Sequence, residues 1–254
     1  MASPNSLLPS SDEAPTAGFL VIGDEILSGR TKDKNIGFVA DFLTGMGIDL
    51  EEVRIVSDRQ EAIVEAVNAL RARYAYVFTS GGIGPTHDDI TADAISAAFG
   101  VPCTHNPEAM RILGAHYAAT DLEFTDARKR MARTPQGADL IENAVSKAPG
   151  FRMENVHVMA GVPKIMQAMM DAIAPTLRGG VPMASQTVDC PFGEGTIGAP
   201  LTIIQGDYPN TMIGSYPRYN DGSYSTQIVI RSRDDEALQK ATRAVEDMVA
   251  GLTG

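Results

Sequence analysis

The sequence contains no tryptophan and only two cysteines, Cys103 and Cys190. Two cysteines cannot build a disulfide framework, so we predict reduced, buried structural thiols. No apolar run reaches the roughly 18 residues that a membrane-spanning helix needs. The first 17 residues have neither the basic start nor the apolar stretch of a signal peptide. These absences favour a cytoplasmic protein that does not bind membranes.

Positive charge is also scarce. The chain has 21 Lys and Arg against 32 Asp and Glu, a formal net charge of −11. Duplex nucleic acid and anionic lipid select broad basic surfaces, so we expect neither as a partner. A small phosphorylated molecule can still bind through backbone amides, a few cations, or a metal held by carboxylates. With 254 residues, the chain can form one large domain or two modest ones.

Short apolar runs alternate with helical stripes along the first part of the chain. The runs predict strands at 18–23, 48–56, 74–79 and 156–160. Apolar residues at helical spacing between the runs, such as Ile36, Val39 and Leu43, predict amphipathic helices. This α/β order favours a mostly parallel sheet with right-handed crossovers. Residues 121–150 are interrupted by proline and glycine and predict no clear element.

The regular alternation of predicted strands and helices ends at the Gly179-Gly180-Val181-Pro182 segment. Beyond it, the pattern predicts strands at 183–189, 211–216 and 224–231, a short helix around 197–204 and a last helix. We therefore divide the chain into a disordered arm, a main domain and a smaller α+β domain. Their predicted bounds are 1–17, 18–178 and 179–254.

Acidic residues follow three of the predicted strands. Asp24 and Glu25 follow the first, Asp58 follows the second, and Asp88 and Asp89 end the loop after the third. Ligands of open parallel sheets bind at the carboxyl ends of the strands. We therefore expect five carboxylates at one edge of the sheet.

The loop that carries Asp88 and Asp89 is rich in glycine. Gly81, Gly82 and Gly84 would let the backbone approach a ligand, and their amides suit an anion. Two aspartates beside a phosphate would repel it unless a divalent cation, by default Mg²⁺, lay between them. Without a cation, one aspartate would cap the following helix and the other would face solvent.

Two further features are weaker candidates for functional groups. His87 could act as an acid, a base or a metal ligand, but a lone loop histidine is more often only hydrogen-bonded. A basic cluster later in the chain could reach a phosphorylated ligand, although a solvated helix face explains it better. The cluster consists of Arg128, Lys129, Arg130 and Arg133.

Several segments of the chain resemble one known family. They are Gly23-Asp-Glu-Ile-Leu-Ser-Gly29, Asp33-Lys34-Asn35, Ser80-Gly-Gly-Ile-Gly-Pro-Thr-His-Asp-Asp89 with Thr91, Ala148-Pro149-Gly150-Phe151, Gly161-Val162-Pro163 and Gly214-Ser215-Tyr216-Pro217. Together they resemble the molybdopterin-binding (MoaB/Mog-like) domain, in the branch found in CinA and in eukaryotic FAD synthases. Lys34 departs from the threonine that is more usual in the family, which leaves the role of that loop open.

The resemblance implies a three-layer α/β/α domain that forms homo-oligomers and binds a phosphate or pyrophosphate ligand of the pterin or nucleotide type. It implies catalytic roles for Asp58 and Asp89, and a metal held by Asp88 and Asp89. The ligand-binding residues that it implies are Gly23, Asp24, Glu25, Asn35, Ser80, Gly81, Gly82, Gly84, Pro85 and Thr86.

Three functions are compatible with this resemblance. The first is a metal-dependent pyrophosphatase that cleaves ADP-ribose or FAD with Mg²⁺ or Co²⁺, assisted by K⁺. The second is adenylylation of molybdopterin in molybdenum cofactor biosynthesis. The third is a module that binds molybdopterin or a nucleotide without catalysis.

Overall fold

A computed structural model describes residues 14–220 and 223–253 of the chain. The chain divides into two compact units, the first ending at Gly180 and the second beginning at Val181. Most of the predicted arm, residues 1–13, lies outside the described residues. The first strand nevertheless begins at Thr16, inside the predicted arm, because Ala17 is fully buried in the core.

The first unit is built on a six-stranded sheet and a separate two-stranded ladder. In chain order its strands are β1 (Thr16–Ile22), β2 (Asp49–Val56), β3 (Tyr76–Ser80), β4 (Cys103–His105), β5 (Arg133–Pro135), β6 (Asp139–Ile141), β7 (Gly150–Met153) and β8 (Val156–Met159). The large sheet has the order β2-β1-β3-β8-β7-β6, and β4 pairs with β5. The first four strands of that order are parallel to one another, whereas β7 is antiparallel to both of its neighbours, β8 and β6.

Helices cover both faces of the large sheet. In chain order they are α1 (Asp24–Leu27), α2 (Asn35–Gly45), α3 (Gln60–Arg73), α4 (Thr91–Phe99), α5 (Pro107–Ala118), α6 (Asp126–Lys129) and α7 (Pro163–Ile173). One core cluster packs α2 and α7 against one face, and a second packs α3 and α4 against the other. The predicted three-layer α/β/α domain is confirmed.

Register sets the carboxyl ends of the parallel strands side by side. Ile22 of β1 pairs with Val56 of β2. Ser80 of β3 pairs with Val21 of β1 on one side and with Met159 of β8 on the other. The loops that follow these strands therefore leave the sheet at one edge.

The segment that predicted no element, 121–150, contributes α6, β5, β6 and the first residue of β7. β5 and β6 have only three residues each and β7 has four, too few to show a period in the sequence. A short segment at Arg130–Ala132 forms a single turn of 3-10 helix between α6 and β5. β6 and β7 complete the edge of the large sheet beyond β8, whereas β5 pairs with β4 in the separate ladder.

The second unit contains β9 (Ala184–Cys190), α8 (Glu194–Asp207), β10 (Met212–Asn220), β11 (Ser223–Ser232) and α9 (Asp235–Thr253). Its antiparallel sheet has the order β10-β11-β9. α8 and α9 pack on one face around Ile228, Ile230 and Leu238. α8 is longer than the predicted short helix, since it runs for 14 residues with Pro200 inside it.

Across residues 14–220 and 223–253, none of the helices combines the length and the apolar character that crossing a membrane requires.

Candidate active site

A cleft of about 610 Å³ opens at the edge of the large sheet where β1, β2, β3 and β8 end. Four of the predicted carboxylates line it, together with part of the glycine loop. Loops after β6 and β8 form the opposite walls. The residues that line the cleft are Ile22, Glu25, Thr31, Asp58, Gly81, Gly82, Ile83, Gly84, Pro85, Asp88, Asp89, Met131, Asn143, Ser146, Ala148, Ala160, Gly161, Val162, Pro163 and Ile165.

The glycine loop is shaped by two residues with positive φ, Gly81 at 112° and Gly82 at 68°. A Cβ atom on Gly81 would lie 2.1 Å from the carbonyl oxygen of Ile22, and one on Gly82 would lie 2.1 Å from Oγ1 of Thr91. The hydroxyl of Thr91 donates to the carbonyl of Gly81 at 2.9 Å. These two glycines therefore let the loop pack against β1 and the start of α4.

Asp89 folds back over the glycine loop. Its Oδ2 accepts hydrogen bonds from the backbone N–H of Thr86 at 2.8 Å and from the Thr86 hydroxyl at 2.5 Å. A Cβ atom on Gly84 would lie 2.6 Å from this same oxygen. The absence of a side chain at residue 84 thus leaves room for the Asp89 carboxylate. The neighbouring Asp88 side chain is 65% exposed at the mouth of the cleft.

Asp58 joins the loop after β2 to the loop after β1. Its Oδ2 accepts a hydrogen bond from the backbone N–H of Asp24 at 2.8 Å. Burial raises the pKa of Asp58, and the negative charges of Asp24, Glu25 and Asp88 raise it further, while the Asp24 N–H opposes them. The acidic groups of three loops therefore act on one another, and a cation among them would relieve their repulsion.

Two of the predicted ligand-binding residues lie behind the cleft wall. Asn35 is only 4% exposed and Ser80 only 1%. The Asn35 amide donates to Oγ of Ser80 and to the carbonyl oxygen of Gly161, both at 2.8 Å. Asn35 thus ties the start of α2 to the ends of β3 and β8. Gly23, Asp24 and Thr86 likewise shape the loops and are not among the lining residues.

The departure at Lys34 leaves these contacts intact. Oδ1 of Asp33 accepts hydrogen bonds from the backbone N–H groups of Asn35, at 3.0 Å, and Ile36, at 2.7 Å. Asp33 therefore caps α2 through its side chain. Lys34 is exposed, and its side chain makes no capping hydrogen bond to α2. The two motif residues with structural roles are those on either side of the substituted position.

One wall of the cleft comes from a loop that sequence reasoning missed. Oδ1 of Asn143 accepts from the N–H groups of Val145 and Ser146, and its amide donates to Oγ of Ser146 at 2.6 Å and to the carbonyl of Ala148 at 2.8 Å. Asn143 is 3% exposed and holds the loop rigidly beside the cleft. The available signal was the family-like segment that starts at Ala148.

The basic cluster divides between several partners. Arg130 donates from Nη2 to the carbonyl oxygen of Asp89 at 3.3 Å. Arg133 forms a two-pronged ion pair with Asp93 of α4, with nitrogen–oxygen distances of 2.8 and 2.5 Å. Lys129 pairs with Asp126 at 2.8 Å, away from the cleft. Arg130 is thus a cation in direct contact with the glycine loop.

Within the described parts of the chain, no group of three or more His, Cys, Asp or Glu side chains is placed to hold a metal ion. Mg²⁺ commonly binds proteins through one or two carboxylates and takes its remaining ligands from water and substrate phosphates. The exposed Asp88 and the adjacent Asp89 fit that mode of binding, in which the ligand completes the coordination.

Two known families match successive parts of the chain. The family described as a probable molybdopterin binding domain matches residues 18–179, and the FAD synthase middle domain matches residues 182–252. The chain belongs to the molybdopterin-binding domain family. This family match covers more than half of the chain and includes the whole cleft.

Individual relatives place the chain in the CinA-like part of this molybdopterin-binding family. A CinA-like protein of Sulfurihydrogenibium is 36% identical over 59% of this chain and 39% of its own length. A probable FAD synthase of Caenorhabditis elegans is 27% identical over 96% of this chain. The chain spans about half the length, 51%, of that FAD synthase.

A solved structure and one further relative are also similar to this chain. The crystal structure of CinA from Thermoplasma acidophilum is 32% identical, with a TM-score of 0.59. The match covers 64% of this chain and 98% of the CinA chain. A protein of Aeropyrum pernix is 31% identical over 95% of this chain and 98% of its own length.

Proposed function

We propose that this member of the molybdopterin-binding family is a metal-dependent pyrophosphatase that cleaves a nucleotide diphosphate such as ADP-ribose or FAD. The observation that supports the proposal best is the presence of Glu25, Asp58, Asp88 and Asp89 in one cleft with the glycine loop. A phosphate group suits the loop and the helix ends, and a divalent cation suits the carboxylates.

Asp88 and Asp89 are the proposed ligands of Mg²⁺ or Co²⁺. Such a cation would polarise a phosphoryl oxygen and neutralise charge that develops during the reaction. Hydrogen bonds from Thr86 hold the Asp89 carboxylate in one orientation over the loop. Asp89 is therefore already positioned before a ligand arrives, which lowers the cost of reorganisation.

Asp58 is the proposed water-positioning residue and base. Its raised pKa makes it a stronger base than an ordinary aspartate. The oxygen of water forms a bond to one phosphorus, and the bridging P–O bond of the diphosphate breaks. One proton passes from water to Asp58 and the leaving phosphate departs with the bridging oxygen. ADP-ribose would yield AMP and ribose 5-phosphate, and FAD would yield AMP and FMN.

A covalent intermediate on the protein is not needed for this chemistry. Ser80, the hydroxyl at the end of β3, is buried and accepts a hydrogen bond from Asn35. It therefore supports the loop from behind and does not face a ligand in the cleft. The proposed reaction is a direct displacement by water.

Product analysis tests the proposal. Purified protein is incubated with ADP-ribose and, separately, with FAD, in Mg²⁺ or Co²⁺, with and without K⁺ and with a chelator control. We expect metal-dependent release of AMP. Asp89→Asn should abolish it without unfolding the protein, because an amide oxygen can still accept the hydrogen bonds from Thr86. Asp171→Asn, on the exposed face of α7, is the matched control and should retain full activity.

A second candidate is molybdopterin binding, with or without its adenylylation. The match of residues 18–179 to the probable molybdopterin binding domain favours it. If neither ADP-ribose nor FAD released AMP, titration with molybdopterin would follow. ATP-dependent transfer of AMP to the pterin would then indicate adenylylation, and tight binding without a product would indicate a binding module.

A further inference from the structure

The loop between α1 and α2 concentrates positive charge in a chain that is acidic overall. Its seven residues, 28–34, include Arg30, Lys32 and Lys34 and a single acid, Asp33. The whole chain has 32 Asp and Glu against 21 Lys and Arg. Lys34 is also the position at which the sequence departs from the more usual threonine of the family. This segment, the basic loop, has no part in the reaction proposed above.

The basic loop is fixed to the cleft at both ends. The backbone N–H of Thr31, which lines the cleft, donates to the carbonyl oxygen of Glu25 at 2.9 Å. At the other end, the amide of Asn35, the first residue of α2, donates to the carbonyl oxygen of Gly161 in the opposite wall. The basic loop therefore runs along the rim of the cleft, from the loop after β1 to the loop after β8.

The three cations of the basic loop have no acidic partner in the described parts of the chain. Arg30, Lys32 and Lys34 are all exposed. Within residues 14–220 and 223–253, none of the three forms an ion pair with Asp or Glu. Asp33, the acid of the same loop, instead caps α2 with its side chain. The charge of these long side chains is therefore available to a ligand at the cleft.

The cleft itself offers a ligand little positive charge. Glu25, Asp58, Asp88 and Asp89 line it, and none of the described lining residues is Lys, Arg or His. The cation proposed for Asp88 and Asp89 would neutralise the diphosphate at the glycine loop. A further phosphate group on the same ligand would meet carboxylates inside the cleft, which would repel it. At the rim, the basic loop supplies the cations that such a group needs.

We propose that the basic loop binds a phosphate monoester of the ligand, separate from the diphosphate at the glycine loop. The inference rests on the proposed function and narrows its substrate class to nucleotide diphosphates that carry this additional phosphate. Because the loop begins beside Glu25, the group that it meets lies close to the diphosphate, at the 2′ or 3′ position of the adjoining ribose. The group takes no part in the reaction, so the preference appears in KM and leaves kcat similar.

Two pairs of compounds that differ by one phosphate group test the proposal. NADP⁺ and NAD⁺ differ at a ribose 2′ position, and coenzyme A and dephospho-coenzyme A differ at a ribose 3′ position. With the full chain and Mg²⁺, KM should be about tenfold lower for the phosphorylated member of at least one pair, as expected for a few exposed charge pairs. This difference in KM should shrink as the salt concentration rises, because salt screens exposed charges.

Variants of the basic loop test whether its charges cause the preference. The double variant Arg30→Gln, Lys32→Gln should bring the two KM values of the pair to within about twofold. Lys34→Thr restores the residue that is usual in the family and should remove part of the difference. The control is Arg73→Gln, Arg111→Gln, which changes the net charge equally at side chains 67% and 68% exposed on α3 and α5. The control should keep the full preference, and thermal melting should show that all variants are folded.

Binding measurements keep this inference separate from the proposed reaction. If none of the four compounds and neither ADP-ribose nor FAD is cleaved, the pyrophosphatase proposal fails, and calorimetry with AMP and with adenosine 2′,5′- and 3′,5′-bisphosphate decides on the basic loop alone. One bisphosphate should bind the wild type about tenfold more tightly than AMP does, and should bind the double loop variant no more tightly than AMP. The inference is overturned if both bisphosphates bind like AMP, if KM is equal within both substrate pairs, or if the control variant loses the preference as the loop variant does.

Discussion

Gly81 and Gly84 lie in the same loop, yet replacing each with alanine should affect a different property of the protein. The change should lower stability at Gly81 and activity at Gly84. At Gly81, φ is 112° and a Cβ atom would lie 2.1 Å from the backbone oxygen of Ile22. At Gly84, the nearest atom to a Cβ would be Oδ2 of Asp89, 2.6 Å away at the end of a side chain. Backbone in the sheet cannot move aside easily, whereas the end of a side chain can.

The cost at Gly81 has two parts. An alanine held at this φ costs roughly 1–3 kcal/mol. Overpacking against the end of β1 costs about another 1–3 kcal/mol. Gly81→Ala should therefore lower the free energy of unfolding of the first unit by several kcal/mol. Since each kcal/mol changes Tm by roughly 2–4 °C in a unit of this size, we expect a fall of about 6–12 °C for a loss of about 3 kcal/mol.

Gly84→Ala should leave stability within about 1 kcal/mol of the wild type, because the affected carboxylate lies at the surface of the cleft. It should displace Asp89 and reduce AMP release in the assay proposed above. Thermal melting and product analysis on both variants separate the two effects. Gly114→Ala is the control, since its nearest neighbour is the Phe124 ring at 3.9 Å and its helical position favours alanine by roughly 0.5–1 kcal/mol.

The opposite pattern would refute this reasoning. If Gly81→Ala melted with the wild type, the loop would not be fixed by its contact with β1. If Gly84→Ala bound and cleaved its substrate normally, the orientation of Asp89 would not matter for function.

Three other expectations follow from buried or loop-contacting groups. Burial, with a smaller contribution from Arg152, lowers the pKa of His157 to about 4, below its value of about 6.5 in the unfolded chain. The histidine in the unfolded state therefore gains a proton first as the pH falls, and the free energy of unfolding should drop by roughly 3 kcal/mol between pH 6.5 and 4. In urea titrations, His157→Gln should flatten this dependence of stability on pH. An unchanged pH dependence in the variant would contradict the expectation. Asn35→Leu removes two hydrogen bonds behind the cleft and should lower the free energy of unfolding, measured in urea, by about 2–3 kcal/mol. A loss below about 0.5 kcal/mol would count against a supporting role for Asn35. Arg130→Gln weakens a charged contact to the carbonyl of Asp89 and should lower turnover about tenfold with little change in Tm. If Arg130 had a purely structural role, the variant would instead change Tm and leave the turnover of the folded protein intact.

Much of the fold could be predicted from the sequence because its parallel strands are short apolar runs separated by amphipathic helices. The convergence of Glu25 and Asp58 on one edge follows from that topology alone. The antiparallel edge could not be predicted in the same way. β6 and β7 are too short to show a period, and the wall that Asn143 holds depends on side-chain hydrogen bonds with no regular spacing.

The structure also separates two roles that the sequence motifs combine. Asn35 and Ser80 belong to family-like segments, as Asp89 does, yet both are buried and share a hydrogen bond. Asp58 and Asp89 instead line the cleft. A motif records which residues the site needs without showing whether a residue touches the ligand or supports one that does.

This separation explains why Lys34 is tolerated at the start of α2. The helix is capped by Asp33 and tied to the site by Asn35, and these contacts involve the Asp33 side chain and the Asn35 backbone and amide. Residue 34 itself is exposed, so a threonine or a lysine can occupy it without altering the support of the glycine loop. The departure from the usual motif therefore gives no reason to expect a different arrangement of the cleft.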